Sequence, residues 1–217
     1  MSLSTATPTT FIVFDFETLM NGYFIEPLEL AAVGVSSDLE FTDTKFSELI
    51  KPPADVPFTF FVTRLTGITQ EHVQDKGSAT KVLSDFNRIF NQENIIFVAQ
   101  NAKYDLSVLR GFPEECKDIL QLPFLDTIKL ARALLPNQVK FNLDALAEVF
   151  GLQVEGRRHR AMPDSVLTAK VFIELVKLAN ERGVTTMEKI IEISAIKPRK
   201  KLRLKQSKIS PNQLRLL

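Results

Sequence analysis

The apolar run at residues 94–99 constrains the fold of this chain more than any other stretch of its sequence. A short, almost wholly apolar segment is typical of a strand whose two faces are both buried. Helices are the elements that cover both faces of a sheet of this kind. Helical patterns follow the run at residues 104–110, 127–135, 143–150 and 163–182, and a weak strand candidate lies at residues 122–126.

Three extended segments open the chain, at residues 11–17, 28–35 and 40–50. Turn-forming residues separate them, which predicts an antiparallel meander. A helical pattern with Ser78 as its N-cap then spans residues 78–91. Strands first, followed by alternating strands and helices, predict an α/β fold with a mixed five-stranded sheet and helices on both faces.

The chain of 217 residues is 45% hydrophobic, which is enough for one well-buried domain. We predict a disordered N-terminus at residues 1–10, one domain at residues 11–195 and a basic, flexible tail at residues 196–217. No apolar run approaches the length of a membrane span, so we expect no membrane association. The only cysteine, Cys116, excludes an intrachain disulfide and fits a reducing compartment, and no secretory signal pattern is present. We therefore expect a cytoplasmic protein.

The charge of the chain is unevenly distributed. Residues 197–217 hold eight basic residues and no acidic one, which leaves 19 basic against 26 acidic residues in the rest. An acidic body with a basic tail suits a polyanionic partner that the tail recruits. A solubilising extension is an equal alternative on charge alone.

Two acidic residues lie in the first extended segment. Asp15 and Glu17 alternate with Phe14 and Phe16, so in a strand the two carboxylates share one face. Their positions differ by about 6.5 Å along the strand, which lets them converge on one cation. Acidic residues in an apolar strand are costly unless a positive charge compensates them. The alternative is a pair of solvated carboxylates at the end of a strand.

A polar cluster directly follows the buried run, where open α/β sheets place their sites. We expect the Asn101 side chain to tie the turn from strand to helix, and Asp105 to lie in the first helical turn. The alternative for Asp105 is a carboxylate that complements the helix dipole.

His159 and Asp164 form a third candidate group. Pro163 suits the first position of a helix, which places Asp164 at the helix start and His159 in the loop before it. This geometry suits a general base beside a metal ligand. The alternative for His159 is an exposed histidine in a basic loop, an interpretation that also fits His72, the other histidine of the chain.

In their order along the chain, these three groups resemble the motifs of the DEDDh exonucleases. That family has a ribonuclease-H-like fold and includes the proofreading epsilon subunits of bacterial replicative polymerases. The resemblance runs from about residue 11 to residue 178 and implies a metal-dependent 3′–5′ exonuclease. Shorter matches lie at residues 29–33, 65–69, 126–127 and 143–147.

The resemblance implies two divalent cations, Mg²⁺ or Mn²⁺, as cofactors. Asp15, Glu17 and Asp164 would hold one cation, and Asp15 and Asp105 would hold the second. Clustered carboxylates repel one another, and hard cations with oxygen ligands relieve that repulsion. His159 would act as the general base for the attacking water, beside Glu17, and the product would be a nucleoside 5′-monophosphate.

The resemblance also implies contacts with the 3′-terminal nucleotides, from Phe16, Thr18, Leu65, Thr66 and Tyr104. An aromatic side chain such as Tyr104 stacks on a base without reading its identity, which suits trimming at any sequence. For each of these residues ordinary core packing is the alternative. The sequence departs from the family at Gln100, where many relatives have histidine, and this puts the substrate preference in doubt.

The last five residues of the chain resemble the peptide with which bacterial replication proteins bind the sliding clamp. Two adjacent apolar side chains would enter a pocket while the glutamine fixes the register. The alternative is a flexible end with a few leucines. The residues that carry the match are Gln213, Leu214, Leu216 and Leu217.

The leading hypothesis is therefore an exonuclease that proofreads or trims DNA 3′ ends, with a polymerase or a sliding clamp as a further partner. DNA is favoured over RNA because of the clamp-like peptide. One alternative is an exonuclease that trims RNA 3′ ends. A catalytically silent module that binds nucleic acid or acts as a scaffold is the other, but clustered carboxylates without metal would repel a polyanion.

Overall fold

A computed structural model describes residues 9–21 and 24–196 of the chain. Within these residues, six strands form one mixed sheet in the order β4-β3-β2-β1-β5-β6. β1 to β3 are antiparallel neighbours, whereas β5 pairs in parallel with β1 and β6 in parallel with β5. The strands are β1 (Thr10–Asn21), β2 (Phe24–Ser36), β3 (Phe41–Lys51), β4 (Gly77–Ser78), β5 (Ile95–Ala99) and β6 (Phe124–Asp126).

 The sheet has six strands rather than the predicted five because β4, a two-residue strand paired with β3, is too short to show any periodic pattern.

Eight α-helices lie in the described part of the chain. The predicted helices are observed with ends shifted by a few residues, and Ser78 caps α3 as expected, because its side chain accepts a hydrogen bond from the Lys81 N–H. The sequence analysis did not predict α1, α2 and α8. α1 and α2 each bury a single side chain and therefore show no apolar stripe. The helices are α1 (Phe60–Thr66), α2 (Gln70–Val73), α3 (Ala79–Phe90), α4 (Ala102–Arg110), α5 (Thr127–Leu134), α6 (Leu143–Val149), α7 (Ala161–Glu181) and α8 (Met187–Ser194).

Helices cover both faces of the sheet, as predicted. β5 is buried along its whole length, which is the burial expected of its apolar sequence. α5 to α8 pack on one face, where Phe11 and Val13 of β1 point into the core. α3 and α4 pack on the other face, where Phe14 of β1 contacts the rings of Phe86 and Phe97. Because side chains alternate along β1, its odd-numbered residues face α7.

The longest helix, α7, begins two residues earlier than predicted. Its N-cap is Arg160 and its first residue is Ala161, so Pro163 is the third helical residue and not the first. Proline is tolerated there because the first N–H groups of a helix have no partner within the helix. Gly183, with a φ of +79°, follows the C-cap Arg182 and ends the helix as predicted.

The two ends of the chain lie largely outside the described residues. β1 begins at Thr10, inside the predicted N-terminal segment, and the Ile196 N–H donates a hydrogen bond to the Phe124 carbonyl. From residue 197 onward the predicted tail lies outside the described range, and so do its clamp-like residues Gln213, Leu214, Leu216 and Leu217. The division into domain and tail therefore stays a prediction. Among the helices that the structure describes, none is both long and apolar enough to cross a membrane.

Candidate active site

Three separate parts of the chain bring four carboxylates to one edge of the sheet. Asp15 and Glu17 lie on β1, while Asp105 lies in the first turn of α4 and Asp164 in the first turn of α7. α4 begins shortly after β5, the parallel neighbour of β1, which places Asp105 beside the β1 carboxylates. α7 packs against the face of β1 that carries Asp15 and Glu17. The grouping follows from the topology.

The electrostatics of these carboxylates show how closely they are grouped. Burial, and then the charge of Asp105, raises the pKa of the Asp15 carboxyl well above its usual range, with Glu17 and Asp164 adding to the effect. Burial raises the pKa of Glu17 to about 8, and Asp164 adds to this shift. Burial also raises the pKa of Asp105 to about 7. A hard cation at this position would relieve both the burial and the mutual repulsion.

Glu17, His159 and Asp164 have the spacing of a metal site. Each offers a ligand atom, and these atoms all lie within 4.8 Å of one another. The Asp164 Oδ2 also accepts a hydrogen bond of 3.3 Å from the His159 backbone N–H. Asp15 is not one of these three residues, but the charges of Glu17 and Asp164 raise its pKa, as does that of Asp105 on its other side. The donor set, rich in carboxylate oxygens, fits a divalent cation of the Mg²⁺ or Mn²⁺ type.

His159 has a backbone conformation that is uncommon for residues other than glycine. Its φ is +61°, in the left-handed region that disfavours side chains with a Cβ. Such a conformation costs about 1–3 kcal/mol and persists only where the surroundings fix it. His159 is half-buried beside two acidic side chains, so the alternative of a freely exposed loop histidine does not describe it.

The arginines around His159 are bound to separate elements. The Arg157 guanidinium donates a hydrogen bond of 3.0 Å to the Arg64 carbonyl, near the end of α1. Arg158 lies 2.7 Å from Asp144 and also forms an ion pair with Asp164. In the sequence these residues form only a basic run. In the structure they join the loop at residues 157–160 to α1, α6 and α7.

Sequence reasoning gave no role to Glu29, which lies next to the site. Glu29 is on β2, directly opposite Glu17, and is 3% exposed. Its carboxylate binds the Arg160 guanidinium and the Ala161 N–H. A charged residue within the apolar sequence of β2 was the available signal, because a buried charge requires a partner.

An open cleft of about 360 Å³ leads to the carboxylates and is lined in part by the residues expected to contact nucleotides. The hydroxyls of Thr18 and Tyr104 form a hydrogen bond of 2.5 Å across it, and both side chains are half-buried, as is Leu65. Thr66 is buried and its hydroxyl donates to the Val62 carbonyl, so this hydroxyl is already used within α1.

Phe16 also lines this cleft but belongs mainly to the core. Its ring packs edge-on against Phe14, and 6% of the residue is exposed. The alternative of core packing therefore describes most of the Phe16 side chain, and what reaches the cleft is one edge of it.

Two exposed aromatic side chains at the start of α1 were not predicted, and one of them, Phe61, lines the cleft. Phe60 and Phe61, at the start of α1, are 79% and 69% exposed. Met20, on β1 at the same cleft, is 54% exposed. The sequence did not identify these residues because a large apolar residue in an irregular stretch is more often buried.

The turn that precedes α4 differs in one detail from the prediction. Asn101 is the N-cap of α4 with a φ of +60°, but its side chain makes no capping hydrogen bond. Its backbone N–H instead lies against the Asp126 carboxylate. Gln100, the predicted departure from the family pattern, donates a hydrogen bond of 2.7 Å to the Phe141 carbonyl, so its amide contacts the loop at residues 135–142.

Comparison with known sequences assigns the part of the chain that holds these residues to one protein family. The sequence profile of the RNase_T family, described as exonuclease, matches residues 12–172, a range that holds all four carboxylates and His159. A DNA polymerase III of the PolC type from Thermotoga petrophila is 34% identical over 197 residues, which is 87% of this chain. The chain spans 14% of the length of that relative.

Two solved structures share the fold. Exonuclease X in complex with 5′ overhanging duplex DNA is 28% identical, with a TM-score of 0.64 over 84% of this chain and 98% of that one. The nuclease domain of 3′hExo, a DEDDh family member bound to rAMP, is 16% identical, with a TM-score of 0.66 over 84% of this chain and 97% of that one. These likenesses confirm the predicted ribonuclease-H-like architecture.

Proposed function

Because the chain belongs to the DEDDh family of 3′–5′ exonucleases, we propose that it releases nucleoside 5′-monophosphates from the 3′ ends of DNA with two divalent cations. One observation carries this proposal: Glu17, His159 and Asp164 offer ligand atoms within 4.8 Å of one another. The charges of Asp105, Glu17 and Asp164 each raise the pKa of Asp15, which lies among them. The proposal concerns this chain alone, since the polymerase that it resembles is several times longer.

The carboxylates would hold the two cations as the sequence predicts. Asp15, Glu17 and Asp164 would hold one, and Asp15 and Asp105 the other. The shared ligand Asp15 fits this arrangement, because it is the carboxylate whose pKa the other three all raise. When bound, Mg²⁺ or Mn²⁺ would stabilise negative charge on the attacking and departing oxygens.

His159 would take the proton from the attacking water. Its imidazole is half-buried beside Glu17 and Asp164, and its backbone N–H is anchored on Asp164. A general base must lie within hydrogen-bond reach of the proton that it removes.

The cleft beside the site would hold the 3′-terminal nucleotides. Tyr104, Leu65 and the exposed Phe61 line the cleft, and the exposed ring of Phe60, the neighbour of Phe61 in the chain, would extend this apolar surface. Stacking on aromatic side chains accepts every base, which suits an enzyme that trims without sequence preference. We include Phe60, Phe61 and Met20 in the substrate surface and give Thr66 a structural role.

DNA is the favoured substrate because the PolC-type relative is a DNA polymerase, and exonuclease X was solved with DNA. RNA is the second candidate, and the observation that favours it is the rAMP bound to 3′hExo. A silent binding module is less well supported, because Glu17, His159 and Asp164 form a donor set for a divalent cation, which a surface that only binds a polyanion does not need.

The test uses 5′-labelled single-stranded DNA and RNA of matched sequence, incubated with Mg²⁺, Mn²⁺ or EDTA. The proposal predicts a ladder that shortens from the 3′ end, needs the metal and is faster on DNA. Asp15→Asn should abolish it, whereas Asp118→Asn, a matched change at a carboxylate that binds Asn87, should not. Internal cuts would refute cleavage from the 3′ end, and equal rates of cleavage in EDTA would refute the metal-dependent mechanism. Faster cleavage of RNA would select the second candidate.

A further inference from the structure

The loop that carries His159 is held by an ion pair between the half-buried Arg160 and the buried Glu29. The Arg160 Nε and Nη2 atoms donate hydrogen bonds of 2.9 and 2.7 Å to the two oxygens of Glu29. The Ala161 N–H, at the start of α7, donates a third of 2.9 Å to the same carboxylate. A two-pronged contact of this kind fixes orientation as well as distance. Glu29 therefore holds the residue after His159 and the first N–H of α7 together.

The position of Glu29 in the sheet gives this ion pair its significance. Glu29 lies on β2 directly opposite Glu17 on β1. The contact thus joins the strand beside the β1 carboxylates to the helix that carries Asp164. A second link lies one turn further along α7, where the Ser165 hydroxyl donates a hydrogen bond of 3.0 Å to the Ala31 carbonyl of β2. Both links lie beside the gap between Glu17 and Asp164.

We propose that Glu29 and Arg160 are positioning residues that set the distance between the β1 carboxylates and the His159–Asp164 pair, and thereby the affinity of the site for divalent cations. The inference rests on the proposed function for its activity measurement but not for its metal measurement. Neither residue touches the reacting atoms. Mutation of a residue that orients a metal ligand typically lowers metal affinity or activity about 10- to 100-fold.

A purely structural ion pair would behave differently. Replacing one partner of a buried pair destabilises a protein because the other charge is left uncompensated. In that case stability would fall while the folded molecules bound metal normally. A positioning pair changes the metal affinity of the folded molecules, so measuring both quantities separates the two roles.

The variants are chosen to remove parts of the contact. Glu29→Gln keeps an oxygen for the Ala161 N–H but loses the negative charge, and Arg160→Lys keeps the charge but loses the two-pronged geometry. Glu29→Ala removes the whole contact. Lys170→Ala is the control, because it breaks an ion pair of 2.6 Å between α7 and Glu155, in the segment before the helix, and leaves Glu29 untouched.

Mn²⁺ is titrated into each purified full-length variant by calorimetry, and thermal unfolding is followed in EDTA. We expect Glu29→Ala to weaken Mn²⁺ binding about 10- to 100-fold. Glu29→Gln and Arg160→Lys should lie between it and the wild type, and Lys170→Ala should match the wild type. The double variant Glu29→Ala/Arg160→Ala should lose no more affinity than Glu29→Ala alone, because the two residues act as one unit.

The activity measurement adds a second criterion. On single-stranded DNA, kcat should fall with the Mn²⁺ affinity while KM for DNA stays unchanged, because the nucleotide cleft lies against α1 and α4. Wild-type Mn²⁺ affinity in folded Glu29→Gln and Glu29→Ala would overturn the inference. A wild type that binds Mn²⁺ but cleaves no nucleic acid refutes the proposed function, and the titrations still decide the role of Glu29. A wild type that binds no Mn²⁺ overturns both.

Discussion

At the scale of single residues, His159 has two possible relations to a bound cation. Its imidazole contributes a ligand atom to the group with Glu17 and Asp164, yet the family resemblance assigns it the role of general base. The two roles differ in what the side chain binds. A ligand contributes to metal affinity, whereas a base contributes to the rate of the chemical step.

His159→Ala is expected to separate these roles. As a general base, His159 contributes about 10²- to 10⁴-fold to kcat and little to the binding of Mn²⁺. Rates of mononucleotide release and calorimetric titrations measure the two quantities. The control is His72→Ala, because His72 is exposed on α2 and its Nδ1 accepts only a local hydrogen bond from the Thr69 N–H. A large loss of Mn²⁺ affinity with His159→Ala would make this residue a ligand.

The raised pKa values predict how the metal-free protein responds to pH. The pKa of Glu17 is about 8 in the folded chain against 4.5 in the unfolded chain, and that of Asp105 is about 7 against 3.8. At pH values between the unfolded and the folded pKa of each group, the folded chain holds a proton that the unfolded chain has released. Their contribution to stability is therefore present at low pH and is lost as the pH rises through about 7 and 8.

We expect the thermal midpoint in EDTA to fall between pH 5.5 and pH 8.5, and to fall less in Glu17→Gln, where one of the titrating groups is absent. Adding Mg²⁺ at pH 8.5 should restore stability more than at pH 5.5, because the cation binds the deprotonated carboxylates. Scanning calorimetry at both pH values measures this. Equal pH dependence in the wild type and in Glu17→Gln would contradict the assignment.

At the scale of secondary-structure elements, long regular patterns were predictable and short elements were not. The β1 alternation, the buried β5 and the long α7 each followed from periodicity, and with them the positions of Asp15, Glu17 and Asp164. α1 escaped prediction because Thr66 is its only side chain that is classed as buried, so it has no apolar stripe.

The partners of the site were equally hard to predict. Glu29 lies far from Arg160 in sequence, and no local pattern joins them, because the pairing of β1 with β2 and the docking of α7 create the contact. The same holds for Arg157 and the end of α1. Periodicity assigns residues to faces, but long-range polar contacts depend on the assembled sheet.

The exposed start of α1 makes a prediction about substrate binding. Replacing Phe60 and Phe61 with serine should weaken binding of single-stranded DNA about 10-fold, since one stacked base contributes about 1–3 kcal/mol. Release from a dinucleotide should change less, because a short substrate does not reach the rim. Ile89→Ser is the control, because Ile89 is also exposed but lies on α3. Fluorescence anisotropy of labelled oligonucleotides measures the affinity, and unchanged binding would exclude this surface.

At the scale of the whole molecule, the acidic body and the basic C-terminal segment have opposite charge. Residues 197–217 carry eight basic residues, and they lie outside the described part of the chain. Attraction of this segment to phosphates would offset repulsion between DNA and the acidic body. Association with a polymerase or a sliding clamp, and a cytoplasmic location, stay predictions at this scale.

Removing residues 197–217 should therefore raise KM for DNA at low salt and flatten the dependence of binding on salt concentration, with kcat retained. Removing only residues 213–217 should leave KM unchanged and abolish binding to a bacterial sliding clamp, which calorimetry measures. If the short deletion binds the clamp as the full chain does, the clamp proposal is wrong. If the long deletion leaves the salt dependence unchanged, the basic segment does not contact DNA.

The central claim is that carboxylates from β1, α4 and α7 meet around a pair of divalent cations beside His159. The most direct measurement is anomalous diffraction from crystals that are soaked in Mn²⁺. We predict two peaks about 2.0–2.5 Å from carboxylate oxygens, one bound by Asp15, Glu17 and Asp164 and the other bound by Asp15 and Asp105. Peaks that avoid Asp15, or a fully occupied site without any contact to Asp105 or Asp164, would contradict the account.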